Sequence, residues 1–455
     1  MKKQSIAVIG HPLGHTMSPF IHKELFNNSA IDYKYSILDI AKLEENIPQL
    51  QELSAFNITI PYKEAIIPYL DSLDEKAKLF GSVNTVKVEN RKMRGYTTDG
   101  IGCLEALKNQ GIYPKGKLLI LGNGGAARAI AFEILFSEKK GDFTLVCRET
   151  SKEKTEKLAA ELRAFSQRKN FPFSVRILTY AELETNSTCY NLLLNATSVG
   201  MYPNMDASPV SIEVVKRCKA VFDAVYNPVQ TKLLSMAMSE NILAIGGMDM
   251  LVNQAAAAHE IWFGKRFEPA EIAEVCRKSE EEMERKFRNI VLCGFMGSGK
   301  TSIGKKLARE MGRQFIDLDH HIENKMNMRV SAIFEKYGEE EFRRMEREAV
   351  AELSVKQNLI IACGGGTVMK EENVKQFHAG NSIIVFLDVS LETLQERLKN
   401  DRKRPLLQKG DRAEIISNLY KERAHIYRMA SDIRVFAGLP VSVVIKQIVK
   451  ITKNI

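Results

Sequence analysis

The sequence predicts an α/β protein built from more than one domain. Short apolar runs rich in β-branched residues alternate with amphipathic helical patterns along the chain, which is typical of parallel sheets covered by helices. Two glycine-rich turns, at 122–126 and 294–299, each follow such a run and precede a helical pattern. A chain of 455 residues is too long for one typical core, so we expect about two to four domains.

Composition excludes several classes of protein. The hydrophobic fraction of 45%, the charged fraction of 27% and the net charge of +9 are ordinary for a globular chain of this length, and no basic cluster indicates nucleic-acid binding. No apolar run approaches the ~20 residues of a membrane span, and the N-terminal segment lacks the features of a signal peptide. Seven scattered cysteines without a CxxC pair argue against disulfides or a zinc site and indicate a reducing cytoplasm.

Nine short apolar segments are the predicted strands, of the kind usually buried in a parallel sheet. In chain order they are 6–10, 56–60, 117–122, 143–147, 191–197, 220–225, 289–294, 359–364 and 382–388. The segment 84–96 instead alternates around Glu89 and Asn90, which predicts a hairpin. After Pro269, the charged segment 265–287 contains no glycine or proline, and it predicts a solvated, stiff helical connector.

The first glycine-rich turn resembles a dinucleotide-binding fingerprint with unusual spacing. Its predicted phosphate-contacting residues are Gly122, Asn123, Gly124, Gly125 and Ala126, although a glycine cluster alone also fits an ordinary turn. The next predicted strand ends before Arg148, Glu149 and Lys152, where the ribose of an adenosine would lie.

The second glycine-rich turn, 294–301, reads GFMGSGKT and matches the GxxxxGK[ST] phosphate-binding loop. Glycines let backbone N–H groups converge on phosphate oxygens, Lys300 supplies a charge to the outer phosphates, and the Thr301 hydroxyl can bind magnesium. Downstream, Asp317 and Asp319 lie two residues apart, so on a strand end they would point the same way. One carboxylate would then support magnesium and the other would meet an acceptor hydroxyl, unless both are solvated.

Four later segments indicate which molecule accepts the phosphoryl group. They are EEEFRRMERE (339–348), CGGGT (363–367), RKRPLL (402–407) and ERAHIYRMA (422–430). With the loop, they make 288–455 resemble the shikimate kinase family, which implies a P-loop α/β fold of the nucleoside-monophosphate-kinase-like type, with ATP and Mg²⁺. The implied ATP-binding residues are Gly294, Gly297, Ser298, Gly299, Lys300, Thr301, Ser302 and Arg404.

The same resemblance implies how shikimate would bind. Asp319 would bind its hydroxyl and act as base, and Asp317 would support magnesium with Thr301. The remaining implied residues hold the substrate carboxylate and line the pocket: Arg343 with Glu346 orienting it, Arg423, Gly364, Gly365 and Gly366. Arg404 would lie on a lid, although the basic run 402–404 also fits a solvated loop. His425 stands where the family often has proline, and we expect little effect.

Five segments of the first half are characteristic as a set. They are GHPLGHTMSPFIH (10–22), NITIPYKE (57–64), GSVNTV (81–86), YTTDGIG (96–102) and DMLVNQAAAAHEIWFG (249–264). Together with the first glycine-rich turn, they make 5–264 resemble the shikimate dehydrogenase family. The resemblance implies a substrate-binding domain at 1–100, a Rossmann NADP-binding domain at 101–243 and a helix at 244–264 that returns to the first domain. The connector at 265–287 and the kinase domain at 288–455 would follow.

The dehydrogenase resemblance also implies a site in the cleft between the two domains. Lys63 and Asp99 would be the catalytic pair, since lysine can supply a proton or positive charge to a carbonyl oxygen as hydride arrives. The implied substrate-binding residues are Thr16 and Ser18 for the carboxylate, Thr59, Asn84 and Gln254 for ring hydroxyls, and Tyr226 at the border; Gly247 joins the cofactor-binding residues. Taken singly, Lys63 also fits a surface lysine, Asp99 a helix cap and Gln254 a polar helix position.

Several positions depart from the family pattern, among them the segment Cys147-Arg148-Glu149, where the family has asparagine-arginine-threonine. Thr16 replaces a common serine but keeps the hydroxyl, and Thr97 stands where an asparagine is usual. Beyond the second nucleotide strand, Arg148 favours NADP, whereas Glu149 can accept from ribose hydroxyls and favours NAD. We favour NADP.

The two resemblances together imply consecutive reactions in aromatic amino-acid biosynthesis. The first half would reduce 3-dehydroshikimate to shikimate, and the second would phosphorylate its 3-hydroxyl with ATP. The expected partners are these small molecules, without nucleic acid or membrane. Three alternatives remain open: a broader quinate/shikimate dehydrogenase that uses NAD, fused to the kinase; a sensor that has lost catalysis; and a generic small-molecule NTPase.

Overall fold

The structure, a computed structural model, describes residues 4–13, 16–27, 31–399 and 411–452. The chain divides into two compact units, Met1–Met283 and Glu284–Ile455. The second unit has one main apolar core, and the first unit has several separate clusters. The predicted α/β class is confirmed, and the division falls inside the segment predicted to be the connector.

A mixed sheet opens the first unit. Its six strands among the described residues lie in the order β2-β1-β3-β5-β6-β4. They are β1 (Gln4–Gly10), β2 (Tyr33–Asp39), β3 (Ala55–Ile58), β4 (Ser72–Leu73), β5 (Thr85–Glu89) and β6 (Lys92–Tyr96). The helices are α1 (Ser18–Asn27), α2 (Leu43–Leu50), α3 (Tyr62–Ala65) and α4 (Glu75–Phe80). β5 and β6 form the predicted hairpin, and its turn lies at Asn90 and Arg91, both with positive φ as in a tight two-residue turn.

A parallel sheet follows, and all residues of 101–245 are described. Its strands are β7 (Lys117–Leu121), β8 (Gly141–Cys147), β9 (Phe173–Thr179), β10 (Leu192–Asn195), β11 (Ala220–Asp223) and β12 (Leu243–Ile245). The helices are α5 (Asp99–Asn109), α6 (Gly125–Glu138), α7 (Lys152–Lys169), α8 (Tyr180–Thr185), α9 (Ile212–Val215) and α10 (Lys232–Ser239). The strand order β12-β11-β10-β7-β8-β9 is that of a Rossmann fold. The direction of winding reverses at β7, so the glycine turn after β7 lies where such sheets bind ligands.

Helix α11 (Gly247–Phe263) joins the two sheets of the first unit. Its Trp262 Nε1 donates to the backbone oxygen of Val86 in β5, at 3.1 Å. Ala258 and Trp262 also pack in one cluster with Ile6 of β1 and Ala55 of β3. After the Rossmann strands, the chain therefore returns to the first sheet.

Helix α12 (Pro269–Phe287) corrects the expectation of a solvated connector. The segment is helical, but Ile272, Val275 and Met283 are no more than 5% exposed. Lys278 Nζ also pairs with Glu24 of α1, at 3.1 Å. The buried residues recur at helical spacing among many charges, and this periodicity was available in the sequence. One face of α12 therefore belongs to the interior of the first unit.

The second unit is a parallel sheet covered by helices. Among its described residues the strands are β13 (Asn289–Cys293), β14 (Gln314–Asp317), β15 (Leu359–Ala362), β16 (Ser382–Asp388) and β17 (Ile433–Phe436), in the order β14-β15-β13-β16-β17. The helices are α13 (Lys300–Met311), α14 (Leu318–Met326), α15 (Val330–Ser354), α16 (Glu371–Ala379), α17 (Leu391–Leu398), α18 (Arg412–Met429) and α19 (Val441–Thr452). The phosphate-binding loop follows β13. This strand is the central one of the sheet and lies between β15 and β16, which come later in the chain. Among the described helices of both units, none is long and apolar enough to cross a bilayer.

Candidate active sites

A cavity of about 230 Å³ in the first unit gathers the residues predicted for substrate binding and catalysis. All eight line it: Thr16, Ser18, Thr59, Lys63, Asn84, Asp99, Tyr226 and Gln254. Ala126 and Gly247, from the predicted cofactor set, line it as well. The cavity therefore lies where substrate-binding and cofactor-binding residues meet.

Lys63 and Asp99 form a close ion pair in this cavity. Lys63 lies in α3, just after β3, and Asp99 is the first residue of α5. The Lys63 Nζ lies 2.6 Å from Asp99 Oδ2, and the side chains are 29% and 3% exposed. Burial strengthens the attraction between the charges, because little water screens it. The carboxylate thus holds the ammonium group at the cavity wall.

Asn84 orients the other side of Asp99. Its Nδ2 donates to Asp99 Oδ1 at 2.8 Å, and its Oδ1 accepts from the backbone N–H of Thr98 at 2.8 Å. Both carboxylate oxygens of Asp99 are therefore bound, one by Lys63 and one by Asn84. The side chain of Asp99 serves the cavity, so the alternative of a simple helix cap does not hold.

Tyr226 reaches the cavity from the loop after β11. Burial raises the pKa of its hydroxyl, so the group stays protonated and can act as a hydrogen-bond donor. The loop is pinned by Asp223, which accepts from Asn195 Nδ2 (2.9 Å), Thr231 Oγ1 (2.7 Å) and the N–H of Val225 (3.0 Å). Sequence reasoning missed the role of this buried aspartate.

The glycine turn after β7 leaves the start of α6 open. A Cβ built on Gly124 or Gly125 would meet no atom within 4 Å, and the first N–H groups of α6 face that space. Asn123 lies sideways in the turn, with its Nδ2 donating to Ser151 O at 3.0 Å and to Thr155 Oγ1 at 2.9 Å. Asn123 therefore ties the turn to α7. Its side-chain amide is bound within the protein and is not directed at a ligand.

Arg148, Glu149 and Lys152 lie together beyond the end of β8. All three are exposed, at the start of α7 and the short turn before it. Charged side chains of both signs therefore flank the same edge of the Rossmann sheet as the glycine turn. Glu149 can accept from a ribose hydroxyl, and Arg148 and Lys152 can pair with a 2′-phosphate.

Three further residues beside the first cavity were absent from the predicted site. His22 and Asn57 line it, and the Tyr35 hydroxyl donates to Asn57 Oδ1 at 2.9 Å. His22 and Asn57 lie inside the quoted motifs 10–22 and 57–64, which was a usable signal. Tyr35 lies on the edge strand β2 and had none.

The phosphate-binding loop of the second unit has the backbone that the motif requires. Gly297 and Gly299 have φ of 82° and 94°, which L-residues with side chains rarely adopt. Lys300 Nζ donates to the backbone oxygens of Gly294 (2.9 Å) and Phe295 (3.2 Å). The buried Ser298 Oγ has no hydrogen-bond partner among the described residues. These polar groups surround the turn that leads into α13.

The structure corrects the expected geometry of the two aspartates. Asp317 ends β14, but Leu318 already begins α14, so Asp319 lies on a helix and not on a strand end. Asp317 Oδ2 accepts from Thr301 Oγ1 at 2.7 Å. Burial, with the nearby Asp317 and Glu346 carboxylates, raises the pKa of Asp319 to about 6. Asp317 is therefore bound to Thr301, whereas Asp319 is buried close to other carboxylates.

Glycines 364–366 pass close to two of the predicted substrate-binding side chains. A Cβ on Gly364 would lie 2.5 Å from Asp319 Oδ1, and one on Gly366 would lie 2.6 Å from Arg343 Nη1. Arg343 Nη1 is held by the buried Glu346, at 2.9 Å, which also accepts from Thr367 Oγ1 at 2.7 Å. The glycine segment therefore exposes backbone between a carboxylate and a guanidinium group.

Arg423 lies on α18 next to this glycine segment. One helical turn further along α18, the Tyr427 hydroxyl donates to Gly365 O at 2.5 Å. Burial raises the pKa of Tyr427, and the nearby Arg423 charge lowers it by a smaller amount. His425 is exposed on the same helix, away from these contacts. Ser302 is exposed in the first turn of α13, whereas Arg404 lies outside the described residues.

Two family models match the chain. Shikimate dehydrogenase substrate binding domain matches residues 8–86, and shikimate kinase matches residues 296–453. The first match contains Lys63 and Asn84. The second contains Lys300, Asp319 and Arg343.

Relatives and solved structures extend the similarity over the first unit. A shikimate dehydrogenase (NADP(+)) from Methanococcus maripaludis strain C6 is 38% identical over 273 residues, which are 58% of this chain and 93% of the relative. A chorismate mutase/shikimate 5-dehydrogenase fusion protein from Clostridium acetobutylicum has TM-score 0.55 and 32% identity, covering 62% of this chain and all of that one. Shikimate 5-dehydrogenase from Thermus thermophilus, solved with NADP(H) and shikimate, has TM-score 0.53 and 30% identity, covering 61% and 99%.

Proposed function

The chain belongs to the shikimate dehydrogenase family and carries a shikimate kinase domain after it, and from this premise we propose that it catalyses two consecutive reactions on one small acid. The first reaction reduces the ketone of 3-dehydroshikimate to the hydroxyl of shikimate with NADPH. The second transfers the outer phosphoryl group of ATP to the shikimate 3-hydroxyl. The observation that supports this best is the Lys63–Asp99 pair within a cavity lined by every residue proposed to bind the substrate of the first reaction.

In the first reaction, Lys63 is the group that supplies the proton. When bound, the nicotinamide cofactor supplies the hydride. Lys63 donates its proton to the carbonyl oxygen as negative charge develops there, and Asp99 holds and stabilises the ammonium group. Thr16 and Ser18 bind the substrate carboxylate by their hydroxyls, and Tyr226 borders the ring.

The ring hydroxyls of the substrate are assigned to Thr59, Asn84 and Gln254. Thr59 follows β3 and Gln254 lies on α11, so the ring is held from two elements. Buried groups that must hydrogen-bond reject ligands without the matching hydroxyls. This arrangement suits a polyhydroxylated ring better than an apolar one.

The residues at the Rossmann edge fit a phosphorylated dinucleotide. The open space at Gly124 and Gly125 and the free N–H groups of α6 suit a pyrophosphate. Arg148 and Lys152 are exposed cations that suit a 2′-phosphate, and Gly247 lines the cavity where the nicotinamide would enter. Glu149 favours an unphosphorylated ribose, which keeps an NAD-using enzyme of broader quinate/shikimate specificity as the second candidate.

In the second reaction, Asp319 accepts the proton of the shikimate hydroxyl. Lys300 and the loop N–H groups neutralise the phosphates of ATP, and phosphoryl transfer depends mainly on such positioning and neutralisation. The oxygens of Thr301 and Asp317, 2.7 Å apart, are hard donors of the kind that Mg²⁺ prefers. When bound, the metal ion shields the phosphate charges.

The carboxylate of shikimate is assigned to Arg343 and Arg423 in the second unit. Glu346 holds Arg343 so that part of the guanidinium fork stays directed to the glycine segment. Arg404 is proposed to cover the phosphates. A generic NTPase would not need this pair of arginines.

The catalytic groups support an active enzyme, and the cysteines support a reducing compartment. The catalytic groups Lys63, Asp99, Lys300 and Asp319 are all present and close to their partners, which disfavours a silent sensor. All seven cysteines are free thiols, as in cytoplasmic proteins.

A coupled assay on the full chain tests the proposal. The purified protein receives 3-dehydroshikimate, ATP and Mg²⁺, with NADPH or NADH in parallel, and products are identified by mass spectrometry. We expect shikimate 3-phosphate, formed faster with NADPH. Shikimate as the end product would contradict the kinase assignment, and no turnover with either cofactor would favour the sensor. A faster reaction with NADH would favour the second candidate.

A further inference from the structure

Two buried histidines lie behind the cavity of the first unit. His22 of α1 and His259 of α11 are 2% and 0% exposed, and His22 Nδ1 lies 3.0 Å from His259 Nε2. The ring of His22 stacks against Tyr35 and Trp262, with centroid distances of 4.5 Å and 5.4 Å. His22 lines the cavity, yet neither histidine has a part in the proposed chemistry.

Both rings are neutral. Burial lowers the pKa of His259 to about 3, and burial together with His259 lowers the pKa of His22 well below its ordinary value. Two neutral rings that share one N···N contact place a single proton in it, so one ring donates and the other accepts. The contact therefore selects a tautomer for each ring.

The second nitrogen of His259 decides which ring donates. His259 Nδ1 is buried and has no hydrogen-bond partner among the described residues. A buried N–H without an acceptor is costly and rare, so the proton is assigned to Nε2. His259 Nε2–H then donates to His22 Nδ1, and His22 carries its own proton on Nε2.

The stacked ring of His22 in turn positions Tyr35 and Asn57. The ring centroids of His22 and Tyr35 lie 4.5 Å apart, and the Tyr35 hydroxyl donates to Asn57 Oδ1 at 2.9 Å. With its oxygen facing this donor, Asn57 directs Nδ2 toward Asn84 O, at 3.4 Å. His22 and Asn57 both line the cavity.

We propose that His22, held in one tautomer by His259, is a positioning residue of the dehydrogenase site that fixes Tyr35 by stacking and, through the Tyr35 hydroxyl, the side chain of Asn57. The inference rests on the proposed function, because Asn57 lines the cavity assigned to the substrate. Neither histidine touches the reacting carbonyl in this scheme. Loss of the contact between the rings should therefore weaken substrate binding and spare the hydride step.

Kinetics of shikimate oxidation by the full chain test this with three variants. His259→Leu removes the donor, whereas His259→Gln keeps an N–H that can reach His22. Phe26→Leu is the matched control, because the ring centroids of Phe26 and His259 lie 4.4 Å apart and leucine keeps an apolar side chain beside His259. We expect His259→Leu to raise the KM for shikimate about fivefold to tenfold, the size of one net hydrogen bond, with kcat within about twofold. His259→Gln should restore the KM to within about twofold.

Equal KM changes in His259→Leu and Phe26→Leu would overturn the proposal in favour of simple packing, as would an unchanged KM in His259→Leu. Nitrogen-15 spectra of the wild-type histidine rings at pH 7 decide the point if the variant does not fold. Protons on Nε2 of both rings support the proposal, and a proton on Nδ1 of either ring overturns it. A wild-type chain inactive on shikimate would instead refute the proposed function, and the spectra would still decide the tautomers.

Discussion

The roles of Lys63 and Asp99 are ambiguous when each residue is considered alone, and the contact between them removes the ambiguity. A lysine after a strand is usually a surface group, and an aspartate before glycine usually caps a helix. Here Asp99 is buried, and its oxygens bind Lys63 and Asn84. The ammonium group is thereby fixed beside the cavity, which is the geometry that proton donation needs.

Replacing either catalytic group should silence one reaction only. Lys63→Ala should lower dehydrogenase kcat at least about 100-fold, the usual loss when a general acid is removed, and leave kinase kcat within about twofold. Asp319→Ala should do the reverse. Both activities are measured on each purified full chain. The control is Lys87→Ala, which removes a half-buried lysine of β5 that pairs with Glu89 and does not line the cavity. Loss of both activities in one folded variant would contradict the two-site assignment.

The raised pKa of Asp319 predicts an acid limit for the kinase. Its carboxyl, with a pKa of about 6, must be ionised to accept the hydroxyl proton. Kinase kcat/KM should therefore fall about tenfold per pH unit below pH 6, as the base becomes protonated. The pH profile is measured from pH 4.5 to 8, with dehydrogenase activity as the check that the protein remains folded. A flat profile down to pH 5 would rule out Asp319 as the base.

Arg148 and Glu149 should control cofactor preference in opposite directions. Arg148→Ala should raise the KM for NADPH about tenfold and leave NADH nearly unchanged, because only the 2′-phosphate loses an ion pair. Glu149→Gln should shift the ratio of kcat/KM values toward NADPH, since it removes a negative charge near the ribose. The control is Lys154→Ala, which replaces an exposed lysine on α7. Equal effects of Arg148→Ala on both cofactors would disprove the assignment.

At the scale of elements, burial explains which strands were predicted. The nine apolar strands and the hairpin all lie inside their sheets; the apolar strands are buried on both faces, whereas β6 of the hairpin exposes alternate residues. Among the described residues, the strands absent from the prediction, β2, β4, β9, β12 and β17, all lie at sheet edges, as does β14, of which only the strand end was expected. Edge strands are short or partly exposed, so their sequences lack a continuous apolar run.

The buried face of α12 makes a prediction about stability. Val275 is 2% exposed, so Val275→Asp would bury an unpaired carboxylate at a cost of several kcal/mol. Dehydrogenase activity should be lost on heating at a temperature about 5–10 °C below that of the wild type. Glu281→Ala, on the exposed face of the same helix, should change this temperature by less than about 2 °C. Similar inactivation temperatures for the two variants would contradict the buried face and would mean that α12 is a solvated connector.

At the scale of the whole molecule, the apolar clusters of the described residues separate by unit. The core of the second unit draws its buried residues from 290–448, and the main clusters of the first unit draw theirs from 6–262, to which α12 adds Ile272, Val275 and Met283. Each candidate site likewise takes its described residues from one unit. Among the described residues, these clusters therefore have no member in common between the two units.

This division predicts that the units work separately. A fragment of residues 1–283 should keep dehydrogenase kcat/KM within about threefold of the full chain, and a fragment of 284–455 should keep kinase activity, because each retains its buried core. Steady-state assays of the two purified fragments check this, with circular dichroism to establish folding. A folded but inactive first fragment would mean that its site needs residues beyond 283.

The sequence by itself determined the α/β class and both glycine turns, because strand–turn–helix signals are local, and its resemblance to two families supplied the groups proposed for catalysis. Tertiary structure decided what those groups contact. It divided the oxygens of Asp99 between two partners, placed Asp319 on a helix, buried one face of α12 and joined His22 to His259, 237 positions along the chain. Such contacts depend on the packing of distant segments around a core, and neighbouring residues in the sequence carry no direct record of them.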